Sequence, residues 1–237
     1  MHEAQLHDSN WFATLTYKVD PRSLQHEDMQ LFFKRLRKIQ PIRYFMCGEY
    51  GETYSRPHYH AILFGLQLND LKVYSENHGN TLYESPMLTK VWGLGHINVG
   101  RVTVESANYV ASYCTKKVTG DKATDHYERL ELETGELYAL KPEYAKMSLK
   151  PAIASQWLKK YGTDVFNHDH VIVSGRAQRP PRYYDKYLDT IDAEKLIAHK
   201  LQRALKSKLT AKENTKQRLK AIETYSYAQF KQRTRTL

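Results

Sequence analysis

Two imidazoles, a carboxylate and a pair of phenols are the groups in this chain whose spacing suggests chemistry. His58 and His60 flank Tyr59 in the run Arg56-Pro57-His58-Tyr59-His60-Ala61-Ile62-Leu63-Phe64-Gly65. A proline at one end, a glycine at the other and β-forming residues between them read as a short strand. Residues two apart on a strand share a face and stand about 6.5–7 Å apart along the chain, so both imidazoles can reach one metal ion. Nine residues before His58 is Glu49, in a second strand-like run, Phe45-Met46-Cys47-Gly48-Glu49-Tyr50-Gly51. The link from Gly51 to Arg56 lets the two runs fold back alongside each other. Two nitrogens and one carboxylate on adjacent strands make a three-ligand site with open positions for a phosphate oxygen and water. Glu52 is close enough in sequence to compete for the third place. Two histidines hydrogen-bonded in an ordinary sheet are the plain alternative.

Further along stand Tyr109, Tyr113, Lys116 and Lys117. Spacings of four and then three put Tyr109, Tyr113 and Lys116 on one helix face. A phenol ordinarily titrates near pH ~10. As a nucleophile it therefore needs a metal-polarised phosphorus, and a nearby ammonium to stabilise the charge that develops. The alternative is packing, with Tyr109, Val110 and Tyr113 simply facing the sheet.

The elements that must position these groups follow from periodicity. Trp11 to Tyr17 predicts a first strand, closed by Asp20-Pro21. Ser23 is the expected cap of a helix with Leu24, Leu31, Phe32, Leu36 and Ile39 on or near one face, stopped by Pro41. The paired strands Ile42 to Tyr50 and His58 to Gly65 come next, then a polar stretch from Gln67 to Ser85. Pro86 to Trp92 predicts a short helix and Gly95 to Val102 another strand. A helix opened by Ser106 is expected to carry both tyrosines and reach about Val118, with Gly120 as its stop. The order β-α-β-β-α-β-α implies an α+β fold, an antiparallel ferredoxin-like or RRM-like sheet faced by helices.

Residues 1–120 are expected to form this core, 121–190 an extension packed on it, and 191–237 a basic tail, helical or partly disordered. Within the extension a hairpin or loop is expected around Thr134-Gly135-Glu136, and a helix from Pro151 to Tyr161. His168 and His170, a second His-x-His pair, read as a surface turn before the strand Val171-Ile172-Val173.

The formal charge is +10, and from Ala193 to Leu237 twelve Lys or Arg face three Glu, so that +9 of it sits in the last 45 residues. Eighteen Tyr against seven Phe and three Trp, interleaved with cations, suit a surface that stacks bases and neutralises phosphates. Cys47 and Cys114 provide neither a disulfide framework nor a zinc spacing, which fits a reducing cytoplasm. The polar start from Met1 to Asp8 lacks a signal-peptide core, and no apolar run approaches membrane-spanning length. There is no phosphate-cradling glycine loop, so neither an ATP-driven helicase nor a nucleotide cofactor is expected.

Taken together, His58-Tyr59-His60, Gly48-Glu49-Tyr50-Gly51 and Tyr109-Val110-Ala111-Ser112-Tyr113-Cys114-Thr115-Lys116-Lys117 resemble the HUH endonucleases that initiate rolling-circle replication. Phe12 to Tyr17 is similar to their first motif. Met147 to Pro151 and Pro180 to Asp185 are similar to the gokushovirus-type microvirus initiators. The resemblance covers roughly residues 10–190 and implies a protein that nicks single-stranded phage origin DNA in the cytoplasm of a bacterial host. By position, His58, His60 and Glu49 would ligate Mg²⁺ or Mn²⁺. Tyr113 and Lys116 match the family's Tyr-x-x-Lys pattern, with Tyr109 matching the extra tyrosine of two-tyrosine members. Host helicase and polymerase are the implied protein partners. A non-catalytic nucleic-acid-binding module on the same sheet is the rival reading. A histidine-dependent hydrolase is a poorer fit, because position 62 is Ile where a third histidine would be needed.

Overall fold

In Asn10–Thr16 (β1) Trp11, Ala13 and Leu15 are buried on one side, and Phe12, Thr14 and Thr16 take the other. That alternation sets two faces for everything that follows. The computed structural model describes residues 1–51, 54–77, 80–113, 116–131 and 134–233. The chain divides into two compact units, residues 1–156 and 157–237.

In the first unit β1 leads to a helix, His26–Ile39 (α1), whose Met29, Phe32, Phe33 and Leu36 are buried. It begins at Gln25 rather than at the expected Ser23, and Leu31 and Ile39 are exposed. The cause is tertiary. The Ser23 hydroxyl accepts from Lys141 N at 2.8 Å. Gln25 is held from both sides by Tyr59, whose hydroxyl accepts from Gln25 N at 2.7 Å and donates to Gln25 O at 2.9 Å.

Arg43–Tyr50 (β2) and Pro57–Phe64 (β3) pair antiparallel, and β3 pairs with β1 on its other side. The segment from Gln67 to Ser85, expected only as polar chain, contains a hairpin of Lys72–Asn77 (β4) and Asn80–Glu84 (β5). Its strands are mostly solvent-facing, so no clean apolar alternation announces them. Pro86–Trp92 (α2) is capped by the Ser85 side chain and ends at Gly93 in the left-handed region. Ile97–Arg101 (β6) then pairs with β1. Gly95 is required just before it, because a Cβ there would lie 2.2 Å from Thr16 O.

Val104–Ser112 (α3) starts two residues before the expected Ser106 and stops well short of Val118. Thr103 is the cap, and Ser106 is its reciprocal partner in a capping box. At the other end Ser112 Oγ donates to Tyr109 O at 2.7 Å, competing for the carbonyl that a longer helix would use. Tyr113 therefore sits just past the helix. Cys114 and Thr115 lie outside the described residues. Lys122–Tyr127 (α4) and the hairpin Glu128–Leu130 (β7) with Leu137–Ala139 (β8) follow, and Tyr144–Met147 (β9) joins the outer side of β2. The sheet runs β4-β5-β6-β1-β3-β2-β9, antiparallel throughout. One face carries the main core with Trp11, Leu15, Phe32, Tyr59, Leu63 and Trp92. The other packs Cys47, Ile62 and Phe64 against Val110 and Tyr113.

Ser155–His168 (α5) runs from the end of the first unit into the second, starting later and ending later than the expected Pro151 to Tyr161. His168 is thus on its last turn. Val171–Val173 (β10) pairs with Arg176–Gln178 (β11), and three further helices follow: Arg182–Ile191 (α6), Ala193–Leu209 (α7) and Lys216–Arg233 (α8). Leu196 and His199 on α7 are buried, and Arg203 bonds both Asp169 and Asp185. Among the described residues no helix is long and apolar enough to cross a membrane.

Candidate active site

Strand register assembles the cluster. Glu49 on β2 lies directly opposite His58 on β3, and Thr14 on β1 lies opposite His60. Glu49, His58 and His60 therefore share the sheet face away from the main core, with their ligand atoms within 4.8 Å of one another. Glu49 Oε1 is 2.8 Å from His58 Nε2 and 3.1 Å from His60 Nε2. Lys116 Nζ donates to the other oxygen, Oε2, at 3.1 Å. Tyr59 points to the opposite face, as alternation requires, and is fully buried in the main core.

The outer bonds of the imidazoles decide whether the donor set suits a cation. His58 Nδ1 faces the carbonyl of Arg56 at 3.2 Å, and a carbonyl only accepts. His60 Nδ1 is 3.0 Å from Thr14 Oγ1, which can accept as well. With both Nδ1 atoms donating outward, both Nε2 lone pairs turn toward Glu49, which is how second-shell partners orient metal-ligating histidines. Burial pushes the Glu49 carboxyl up, but hydrogen bonds from His58 and His60 outweigh it and hold it at about 2. Burial pulls His60 below the usual histidine range. An ionised carboxylate and a neutral imidazole are the forms a divalent cation needs.

The tyrosines pack on this cluster. The Tyr113 ring stacks on His60 with centroids 5.1 Å apart, and Tyr109 meets the same imidazole edge-on at 5.2 Å. The two phenol rings are 4.8 Å apart and nearly perpendicular. Tyr113 is buried and Tyr109 half-buried. Burial raises the Tyr113 phenol above its ordinary range, reinforced by a hydrogen bond with Tyr109 and by the negative charge of Glu49. Lys116 Nζ sits 4.4 Å from the centre of the Tyr113 ring, while Lys117 is exposed. Glu52 lies outside the described residues.

Two contributors carry no chemical signature in the sequence. Thr14 orients His60, and the Phe12 ring stacks on the same imidazole at 5.7 Å. Their signal is positional, since both share the β1 face opposite Trp11, Ala13 and Leu15, but only the β1–β3 register says which histidine they meet. His168 and His170 have rings 5.8 Å apart, with His170 Nδ1 2.9 Å from His168 O. Among the described residues, the cluster that could hold a metal with three ligands is the one at Glu49.

Residues 10–118 match the model of a protein family described as replication-associated protein ORF2. The chain is 33% identical over 223 residues to replication-associated protein VP4 of Bdellovibrio phage phiMH2K, an alignment covering 87% of this chain and 66% of that protein. It is 30% identical over 200 residues to replication-associated protein ORF2 of Spiroplasma virus 4, covering 76% and 58% respectively. With replication-associated protein ORF4 of Chlamydia phage 1 it shares 31% identity over 129 residues, 48% of this chain and 32% of the relative. The chain thus spans from about a third to just under two thirds of the length of these relatives. No solved structure matches it.

Proposed function

Through residues 10–118 this chain belongs to the replication-associated protein ORF2 family, and from that membership we propose that it nicks and rejoins single-stranded DNA at a phage replication origin. One observation carries the reading: two tyrosine rings pack on His60, inside the three-ligand cluster. Glu49, His58 and His60 would hold a divalent cation, Mg²⁺ or Mn²⁺, whose chemistry there is to polarise a phosphoryl oxygen.

The chain's own groups do the rest. Tyr113 or Tyr109 brings its phenolic oxygen to the phosphorus and loses its proton. As the phosphorus–tyrosine bond forms, the bond from phosphorus to the 3′-oxygen breaks and that oxygen takes up a proton. The products are a 5′-phosphotyrosine and a free 3′-hydroxyl, which primes host polymerase. Lys116, between Glu49 and the Tyr113 ring, stabilises the negative charge that develops. Neutralising Glu49 removes one of the influences that keep the Tyr113 proton in place. Because one phosphate ester is exchanged for another, rejoining needs no nucleotide cofactor.

The test is incubation with single-stranded DNA carrying the origin and Mn²⁺. A protein–DNA adduct that survives denaturation is expected, and it should vanish in excess chelator. Binding without adduct, indifferent to chelator and to loss of both phenols, would leave a non-catalytic DNA-binding module instead.

A further inference from the structure

Beside the cluster the surface opens into a cavity of about 450 Å³. Thr16 at the end of β1, Gly51, Tyr54 and Arg56 in the β2–β3 turn, His58, and His96 before β6 all line it. That volume falls within the roughly 300–1,000 Å³ of sites for small organic ligands, enough for one nucleotide. Its chemistry suits one too. Tyr54, 82% exposed, and the exposed His96 offer flat rings. Arg56 is a fixed cation, with Nη2 donating to Tyr17 O at 3.1 Å and Nε 3.6 Å from Asp20 Oδ2. Flat rings beside positive charge are the usual means of holding single-stranded nucleic acid.

The position of the cavity says which nucleotide. His58 is the wall it shares with the cluster. The tyrosine rings pack instead on His60, two residues further along β3. The order along that strand is therefore phenols at His60, Glu49 between the two imidazoles, and the cavity at His58. In phosphoryl transfer the leaving oxygen departs roughly in line with and opposite to the attacking one. Given the nicking reading above, on which this inference rests, we propose that the cavity holds the nucleoside whose 3′-oxygen leaves. Tyr54 and His96 stack its base, and the cavity selects the nucleotide on the 5′ side of the scissile phosphate.

The experiment incubates the full chain with Mn²⁺ and single-stranded DNA of randomised sequence, then sequences two sets of ends. Released fragments end in the nucleotide that bore the leaving oxygen, and protein-linked fragments begin with the one attached to tyrosine. The wild type should prefer particular bases at the released end. Tyr54→Ala and His96→Ala, both at exposed positions, should each weaken that preference about five- to tenfold. The first nucleotide of the linked fragments should keep its profile. A wild type with no preference at the released end, an unchanged released-end profile in both variants, or a change confined to the linked end would overturn the assignment while leaving nicking intact. If the wild type yields no linked fragments at all, the nicking reading itself fails and this inference goes with it.

Discussion

Glu49 is the residue on which the cluster turns, since it meets His58, His60 and Lys116 at once. The short β-strand spacing that lets two imidazoles reach one carboxylate should also let all three groups reach one cation. Mn²⁺ should therefore raise the melting temperature of the wild type. A His58→Ala, His60→Ala double variant should lose both that rise and adduct formation, while its fold, judged by circular dichroism, stays near native. A metal-induced rise that survives in the double variant would place the cation elsewhere. The tyrosines allow a finer test, because Tyr→Phe keeps the ring packing against His60 and removes only the hydroxyl. Each single variant should still form some adduct, and neither should release closed circles as the wild type does. Tyr113 matches the single-tyrosine pattern, so its variant should show the larger loss. If Tyr109→Phe completes termination like the wild type, Tyr109 is a packing residue.

At the scale of elements, α3 is a short helix asked to hold a reactive side chain just beyond its end. The capping box of Thr103 and Ser106 fixes where it starts, and hence where Tyr109 stands relative to the sheet. Thr103→Ala should cost about 1 kcal/mol of stability, read as a lower denaturation midpoint at an unchanged slope. Its adduct yield should drop further than in a surface variant of equal stability. In the second unit, Arg203 ties the turn after α5 to α6 through Asp169 and Asp185. Hydrogen bonds from Arg203 hold the Asp185 carboxyl below its usual range, outweighing partial burial. A depressed folded pKa gives stability that is complete above the unfolded value and is lost as pH falls through the folded one. Asp185→Asn should thus cost about 1–2 kcal/mol at neutral pH, toward the low end for a charged hydrogen bond because solvent reaches the pair. Melting curves from pH 7 downward should show that difference shrinking as the pH drops through and below the ordinary carboxylate range. A gap that stays constant with pH would mean that Asp185 acts by shape alone.

At the scale of the whole molecule, charge and chemistry are separated along the chain. The catalytic candidates sit in the first unit, whereas +9 of the +10 net charge lies beyond residue 192. The structure divides that basic region. In α7 Leu196 and His199 are buried and Arg203 is paired, so a cut at 193 would open the second unit. In α8 the side chains of Leu219, Ile222, Tyr225 and Tyr227 are all about half exposed or more. Residues 215–237 carry six Lys or Arg and one Glu. Removing them should leave the rest folded and weaken binding to single-stranded DNA. The slope of log affinity against log salt should flatten by about 0.7 for each phosphate that the shortened chain no longer neutralises. An unchanged slope would assign α8 to a protein partner.

The three-ligand set was legible in the sequence because strand alternation is a local rule: His-x-His fixes two side chains on one face wherever the strand lies. The α+β character followed for the same reason, since each long apolar period reports its own element. Sequence spacing also brought Tyr109 and Tyr113 near each other, although it extended their helix past its true end. What sequence alone could not supply was register. That Thr14 meets His60 and Glu49 meets His58 depends on how β1 and β2 slide against β3, and a one-residue slip would have turned every one of these side chains to the other face. The start of α1 differs from the expected one because Tyr59, 34 positions away, holds Gln25. The β4–β5 hairpin is silent in the sequence because its exposed strands have little apolar pattern to read. The cavity beside His58 belongs to the same class. Thr16, Arg56 and His96 line it together only because three separate segments end at one corner of the sheet.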